Sequence, residues 1–123
     1  MPTDEIRPTD WREFFDGFSR AHEHWLATVE VLGNLGAQHV ADELPLVGIV
    51  ADEPSHGGSV SIVLGRGDET LTHTVAHPAR VEVERTDEGA EAAVEIESTD
   101  GERTLVHFRS SPPPDEVDGR MAG

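Results

Sequence analysis

Apolar positions in residues 11–32 follow first the period of a helix and then the period of a strand. In the first part, aromatic residues recur at the spacing of one helix face, and in the second, apolar residues fall on one side of an extended chain. The two sets are Trp11, Phe14, Phe15 and Phe18, followed by Trp25, Ala27, Val29 and Val31. This stretch therefore predicts an amphipathic helix that leads into a strand, and burial of four large rings would make the helix part of the core.

The start of the predicted helix is marked by Asp10, which stands three residues before Glu13 in the spacing of a capping box. An acidic residue at that position also suits the helix dipole. No Gly or Pro stops the pattern after Gly17, so we expect the helix to end between Ala21 and Glu23.

Short apolar runs separated by turn residues follow the first strand. Gly33–Gly36 and Gly65–Asp68 have the composition of turns, and residues 52–58 have that of a loop. Pro45 interrupts a longer run, so the segments before and after it are interpreted as separate strands. One helix followed by such runs predicts an α+β fold, with the N-terminal helix packed on a curled antiparallel sheet of six or seven short strands, a small barrel or roll.

The chain is expected to contain one domain. Residues 1–8 are polar, carry two prolines, and predict a flexible lead-in. Residues 9–109 form the predicted globular domain, and residues 110–123, acidic and rich in proline, predict a disordered tail.

The last predicted hairpin allows two registers. A two-residue Asp-Gly turn would divide the apolar residues between the two faces of the sheet. A three-residue loop at 99–101, with its glycine at positive φ, instead places Val94 opposite Val106 on the inner face and Glu97 opposite Arg103 on the outer. The hydrophobic pattern and the charges agree on the three-residue loop, so we predict that register.

The charge of the chain is strongly negative: 25 Asp and Glu oppose 9 basic residues, all of them Arg, for a net charge of −16. A folded, lysine-free, acidic domain indicates adaptation to high salt, in which self-repulsion is screened. The same charge argues against nucleic acid as a partner. With no leader sequence at the N-terminus and no apolar run of about 18 residues, we expect a cytoplasmic protein without membrane association.

Candidate chemistry is sparse. The absence of cysteine excludes thiol catalysis, disulfides and zinc-thiolate sites, and the spacing of the seven histidines does not predict a metal site. We predict no cofactor and no catalytic residue. If a small-molecule pocket lies between helix and sheet, the polar groups expected there are His22, Glu23, His39 and His73. A core position is favoured for His73, which shares its side of a strand with two apolar residues.

Paired glutamates at 82 and 84, and at 95 and 97, could bind a cation or act as acid and base, but a solvated face explains them more simply. The Arg-Gly-Asp tripeptide at 66–68 is interpreted as a hairpin turn, and the glycine spacings fall short of a phosphate-binding motif.

Several segments together resemble a known family. They include the aromatic stretch from Trp11 to Arg20, the segment from His22 to Leu26, the segment from Glu43 to Asp52, and the segment from Thr104 to Arg109. The chain is similar there to a family of small uncharacterised prokaryotic proteins, a domain of unknown function frequent in halophilic archaea. The resemblance implies no activity, cofactor or site residue. We therefore expect a small non-enzymatic domain acting by protein contact in a high-salt cytoplasm. The alternative is a small-molecule-binding or histidine-containing catalytic pocket between helix and sheet.

Overall fold

The computed structural model describes residues 3–34, 36–52, 58–85 and 91–109. These residues form one turn of 3-10 helix, one α-helix and eight strands. In chain order the elements are β1 (Thr3–Ile6), the 3-10 turn (Pro8–Asp10), α1 (Trp11–Ala21), β2 (Leu26–Gly33), β3 (Gly36–Ala51), β4 (Ser59–Arg66), β5 (Glu69–Ala76), β6 (Pro78–Arg85), β7 (Glu91–Ser98) and β8 (Arg103–Arg109).

The strands make one antiparallel sheet in the order β1-β6-β7-β8-β2-β3-β4-β5. An N-terminal helix with an antiparallel sheet was predicted and is confirmed. The predicted count of six or seven strands is wrong, because the sheet formed by these residues has eight. Of the predicted barrel or roll, the barrel is wrong, because the described sheet is not closed and ends at β1 on one side and at β5 on the other.

One extra strand, β1, lies in the segment predicted to be a flexible lead-in. Thr3–Ile6 pairs with β6, with Ile6 opposite Val81. The carbonyl of Ile6 also accepts a hydrogen bond of 2.9 Å from the indole Nε1 of Trp11. The lead-in is therefore tied to both the sheet and the helix.

The strand β3 continues through Pro45, where the sequence predicted an interruption. Its first part pairs with β2 and its second part with β4. The register shifts twice along β2 and once between Leu46 and Gly48, and Glu43 has a φ of 52°. Such bulges bend a strand, and a proline without an N–H is tolerated at a bulge. β3 can therefore serve two neighbours in succession.

The helix α1 begins at Trp11 and ends at Ala21, within the predicted limits. The predicted capping box does not form: the side chain of Asp10 makes no capping hydrogen bond, and its carboxylate lies 3.5 Å from Arg7. Asp10 ends the 3-10 turn with φ −104° and ψ −2°, whereas a capping side chain normally extends from β-region backbone. Trp11, Phe15 and Phe18 are buried.

A single hydroxyl connects the helix to the second half of β3. The Ser19 Oγ accepts a hydrogen bond of 2.8 Å from the N–H of Ile49 and donates one of 3.1 Å to the carbonyl of Ile49. A Cβ at Gly48 would lie 3.8 Å from the Cβ of Ser19, an ordinary van der Waals contact, so this approach does not depend on glycine. The helix thus satisfies backbone groups that a neighbouring strand would otherwise pair.

The register of the hairpin from β7 to β8 is the one predicted. Val94 faces Val106, both fully buried, and Glu97 faces Arg103. Ser98 and Glu102 close the three-residue loop, and Gly101 has a φ of 92°. The predicted tail, residues 110–123, lies outside the described residues.

Candidate interaction surface

The four histidine and glutamate positions predicted for a pocket occupy different environments. His22 is buried and Glu23 is exposed, just beyond the C-terminus of α1. His39 is exposed on β3, opposite Glu30. His73 is half-buried on β5, opposite Ile62. Together they do not outline one cavity.

His22 occupies the space near the end of the helix as an aromatic core residue. Its ring stacks on Phe18 at 4.0 Å between centroids and meets Trp25 edge-on at 4.6 Å. Its Nδ1 lies 3.0 Å from the carbonyl oxygen of Phe18. The sequence suggested a core position for His73, but the buried histidine is His22. The ring of His22 is enclosed by aromatic neighbours.

His73 has only part of the core character expected from its alternation with Leu71 and Val75. Its partial burial lowers the pKa of the imidazole below the ordinary 6.5, and the negative charge of Glu102 opposes that shift. Val75 is buried, whereas Leu71 is 36% exposed. The inner side of β5 therefore opens toward solvent near the start of the strand.

The outer sides of β1, β6, β7 and β8 form what we call the charged face. Its side chains are Glu5, Arg80, Glu82, Glu84, Glu95, Glu97, Arg103 and His107. Glu82 lies between Glu5 and Glu95 on the neighbouring strands, so three like charges stand side by side. Such cross-strand pairs are destabilising, although two arginines reach this row.

The arginines of the charged face offset part of that repulsion. Arg80 Nη2 lies 2.8 Å from Glu82, and its Nε lies 3.9 Å from Glu5. The hydrogen bond and charge of Glu82 raise the pKa of Arg80. Arg103 reaches Glu95 at 3.4 Å, on the diagonal from its register partner. We interpret the charged face as a solvated surface.

The outer sides of β3 from Leu46 onward, β4 and β5 form what we call the neutral face. Its side chains are Val47, Val50, Ser59, Ser61, Val63, Thr70, Thr72, Thr74 and Ala76. Val47 and Val50 are 50% and 55% exposed. The hydroxyls of Ser61 and Thr74 lie 3.1 Å apart and bond across the strands. In a chain with net charge −16, none of these side chains is charged, although Asp52, just beyond β3, borders the face and accepts a hydrogen bond of 3.1 Å from the hydroxyl of Ser59.

One depression on the described surface touches the end of the neutral face at Thr70, beside Gly65 and Leu71, and two others lie away from it. One of about 360 Å³ lies between the turn after β2 and the turn after β7, and is lined by Leu32, Gly33, Asn34 and residues 100–103. Another lies on the charged face beside Glu82 and Glu84. Both of these are open to solvent.

No group of three or more His, Asp or Glu side chains in the described part of the chain is arranged to hold a metal ion. In the same ranges, no helix has both the length and the apolar character needed to cross a membrane.

Comparison with known proteins gives one result. Residues 2–117 match the model of a family of unknown function, DUF5335. The chain belongs to this family. No curated protein and no solved structure shows significant similarity to the chain. The resemblance of nearly the whole chain to a domain of unknown function is thereby confirmed, and the membership carries no activity.

The neutral face of this DUF5335 chain was missed by reasoning from sequence, although a signal for it exists. Residues 44–51, 58–65 and 70–76 contain no Asp, Glu, Lys or Arg. Such gaps stand out where 28% of residues are charged. What the sequence alone did not supply is that the three segments are neighbouring strands, so that their outward residues meet on one surface.

Proposed function

We propose that this DUF5335 protein is a small non-enzymatic domain that acts by protein contact through its neutral face, in a high-salt cytoplasm. The observation that carries the proposal is that no strand residue of that face is charged, with Asp52 at its border bonded to Ser59. The centres of protein interfaces are depleted in charged residues, and a general acidic surface would otherwise keep other proteins at a distance. Val47 and Val50 supply apolar area there that is left in water.

The shape of the site favours a protein over a small ligand. Small-molecule sites are concave and enclose most of the ligand, whereas the neutral face is the outer surface of three adjacent strands. Near the end of the helix, His22 packs between Phe18 and Trp25. That packing does not support the alternative of a pocket built around His22.

A photo-reactive amino acid at Val50 tests the proposed contact. The experiment is done in the native cell at its own salt concentration, and a matched control places the same residue at His107, which is exposed on the charged face. We expect one defined protein adduct from position 50 and none from position 107. Equal labelling from both positions, or no adduct from position 50, would contradict the proposal.

Salt should stabilise the fold if the protein works in a high-salt cytoplasm. Molar KCl shortens the Debye length to about 3 Å, which screens the row of Glu5, Glu82 and Glu95 as well as the net charge. Each 1 kcal/mol of repulsion relieved should raise the melting temperature by about 3–6 °C for a domain of this size. We expect the midpoint to rise from dilute buffer to molar KCl.

Sucrose at increasing concentration provides the control, because osmolytes strengthen burial without screening charge. Replacing Glu5 by Gln should reduce the increment in KCl and leave that in sucrose unchanged. A midpoint that stays flat or falls with KCl would refute the high-salt part of the proposal.

A further inference from the structure

The two ends of the sheet differ in how they are protected. Exposed edge strands offer unpaired N–H and C=O groups to other chains, and proteins usually guard them by shortness, charge, proline or bulges. β1 has four residues, two of them acidic. β5 has eight residues, pairs with β4 without a register shift, and carries no Asp, Glu, Lys or Arg after Glu69. Among the described strands, β5 is therefore the unguarded edge.

The direction of the free backbone groups on β5 follows from its pairing. Arg66 and Glu69 are partners across the two-residue turn Gly67-Asp68, so they form a hydrogen-bonded pair, and bonded and non-bonded pairs then alternate. By this alternation, Glu69, Leu71, His73 and Val75 bond to β4. The backbone groups of Thr70, Thr72 and Thr74 point to the open edge, and these three residues are exposed.

We propose that this edge binds the β5 strand of a second copy of the chain, antiparallel, with Thr72 on the two-fold axis. Thr72 then faces Thr72 of the second copy, and Thr70 faces Thr74 in both directions. Each of these three pairs can exchange two backbone hydrogen bonds. The inference goes beyond the proposed protein-contact role, because pairing along β5 leaves Val50, two strands away on β3, to contact a further partner.

The side chains of β5 suit this two-fold arrangement. Threonines oppose threonines on the outer side, a favourable cross-strand pairing. On the inner side, Leu71, which is 36% exposed, faces His73 of the second copy and becomes covered. Glu69 faces Val75, which keeps the two Glu69 carboxylates about 20 Å apart along the strands, beyond the Debye length of about 8 Å at physiological ionic strength.

Charge also favours a second copy at this place. Two molecules of net charge −16 repel at most orientations, and in this register no acidic residue of β5 faces another. The pairing would join the two neutral faces into one surface of six strands, three from each copy. A basic partner would be drawn instead to the charged face, because that face holds the row of glutamates.

Single cysteines test the register, because the chain has none of its own. In the proposed dimer the Cα atoms of two copies of residue 72 lie about 5.5 Å apart, whereas those of residue 74 lie about 14 Å apart. Thr72→Cys is therefore compared with Thr74→Cys, using a thiol crosslinker whose reach lies between these distances, in molar KCl. We expect covalent dimer from Thr72→Cys at least about tenfold faster than from Thr74→Cys.

Sedimentation equilibrium supplies the second measurement. The unmodified chain should form a dimer in molar KCl. Thr72→Lys, which sets two ammonium groups across the axis, should raise the dissociation constant about tenfold or more. Thr72→Val, which stays neutral and β-branched, should not. Melting curves of each variant establish that it is folded.

Three results would overturn the inference: a monomer at all concentrations, equal crosslinking of the two cysteine variants, or a dimer unaffected by Thr72→Lys. Failure here is separable from failure of the proposed function. A monomer that still gives a defined adduct from position 50 removes the self-pairing and leaves the protein-contact role in place.

Discussion

Replacing Phe18 by Ala should cost about 3–5 kcal/mol of unfolding free energy. Phe18 is only 3% exposed and is the ring through which the helix meets β8. Its centroid lies 5.0 Å from that of Phe108, edge-on, and 4.0 Å from that of His22. Removing it leaves both rings beside a cavity, since the aromatic cluster cannot collapse without moving the helix. Urea denaturation at fixed KCl concentration measures the loss.

Phe14→Ala is the matched control on the same helix. Phe14 touches Phe15 and Phe18, at 5.1 and 5.5 Å between centroids, but it is only partly buried. We expect it to cost clearly less than Phe18→Ala. If Phe18→Ala costs under about 1 kcal/mol with the fold intact, the helix is not anchored through this face.

Gly65→Ala should be of similar severity for a different reason. Gly65 has a φ of 139°, a conformation that L side chains rarely adopt. A Cβ there would collide with the carbonyl oxygen of Glu69 and would lie 2.7 Å from the Cα of Thr70. Both obstacles are backbone, so the hairpin from β4 to β5 would have to open. We expect a loss of more than about 3 kcal/mol, measured by thermal unfolding.

Gly67→Ala is the control that distinguishes the cost of backbone strain from the cost of a steric clash. It has a φ of 56°, and a Cβ added there would meet nothing within 4 Å. Gly67→Ala should therefore cost only the left-handed backbone term, about 1–2 kcal/mol. Similar losses in the two variants would show that the close approach at Gly65 is not what limits the hairpin.

The sequence predicted the structure correctly where the hydrophobic pattern of two strands and the turn between them indicated the same register. The register of β7 and β8 followed from placing Val94 and Val106 on one face, and the loop with Gly101 at positive φ is the one that achieves it. The ion pair formed by Arg103 is not the one that the register predicts, because a long arginine side chain can reach a diagonal neighbour. Arg103 bonds Glu95, although Glu97 is its register partner.

Sequence reasoning failed where the outcome depends on a distant segment. Thr3–Ile6 has no strand pattern of its own, and its pairing with β6 brings together residues about eighty positions apart. The continuity of β3 through Pro45 depends on β2 ending where β4 begins to pair. Neither partner can be identified from the residues beside the strand.

The candidate site was hidden for a related reason. Histidines drew attention because of their chemistry, yet His22 serves the core through its ring and a hydrogen bond to Phe18. The neutral face contains no residue with distinctive chemistry. It consists of Ser, Thr, Val and Ala, and its distinguishing property is that none of these residues is charged. Their grouping on one surface can be recognised only once the strand order is known.

The central position of β8 has a consequence for the growing chain. β8 lies between β2 and β7, yet it is the last of the described strands to be synthesised. Until residues 103–109 have been made, β2 and β7 each have an edge without its final partner, so the sheet cannot be completed in the order of translation. During that interval three glutamates of these two strands, Glu30, Glu95 and Glu97, place negative charge beside the open edges, where charge discourages pairing with other nascent chains.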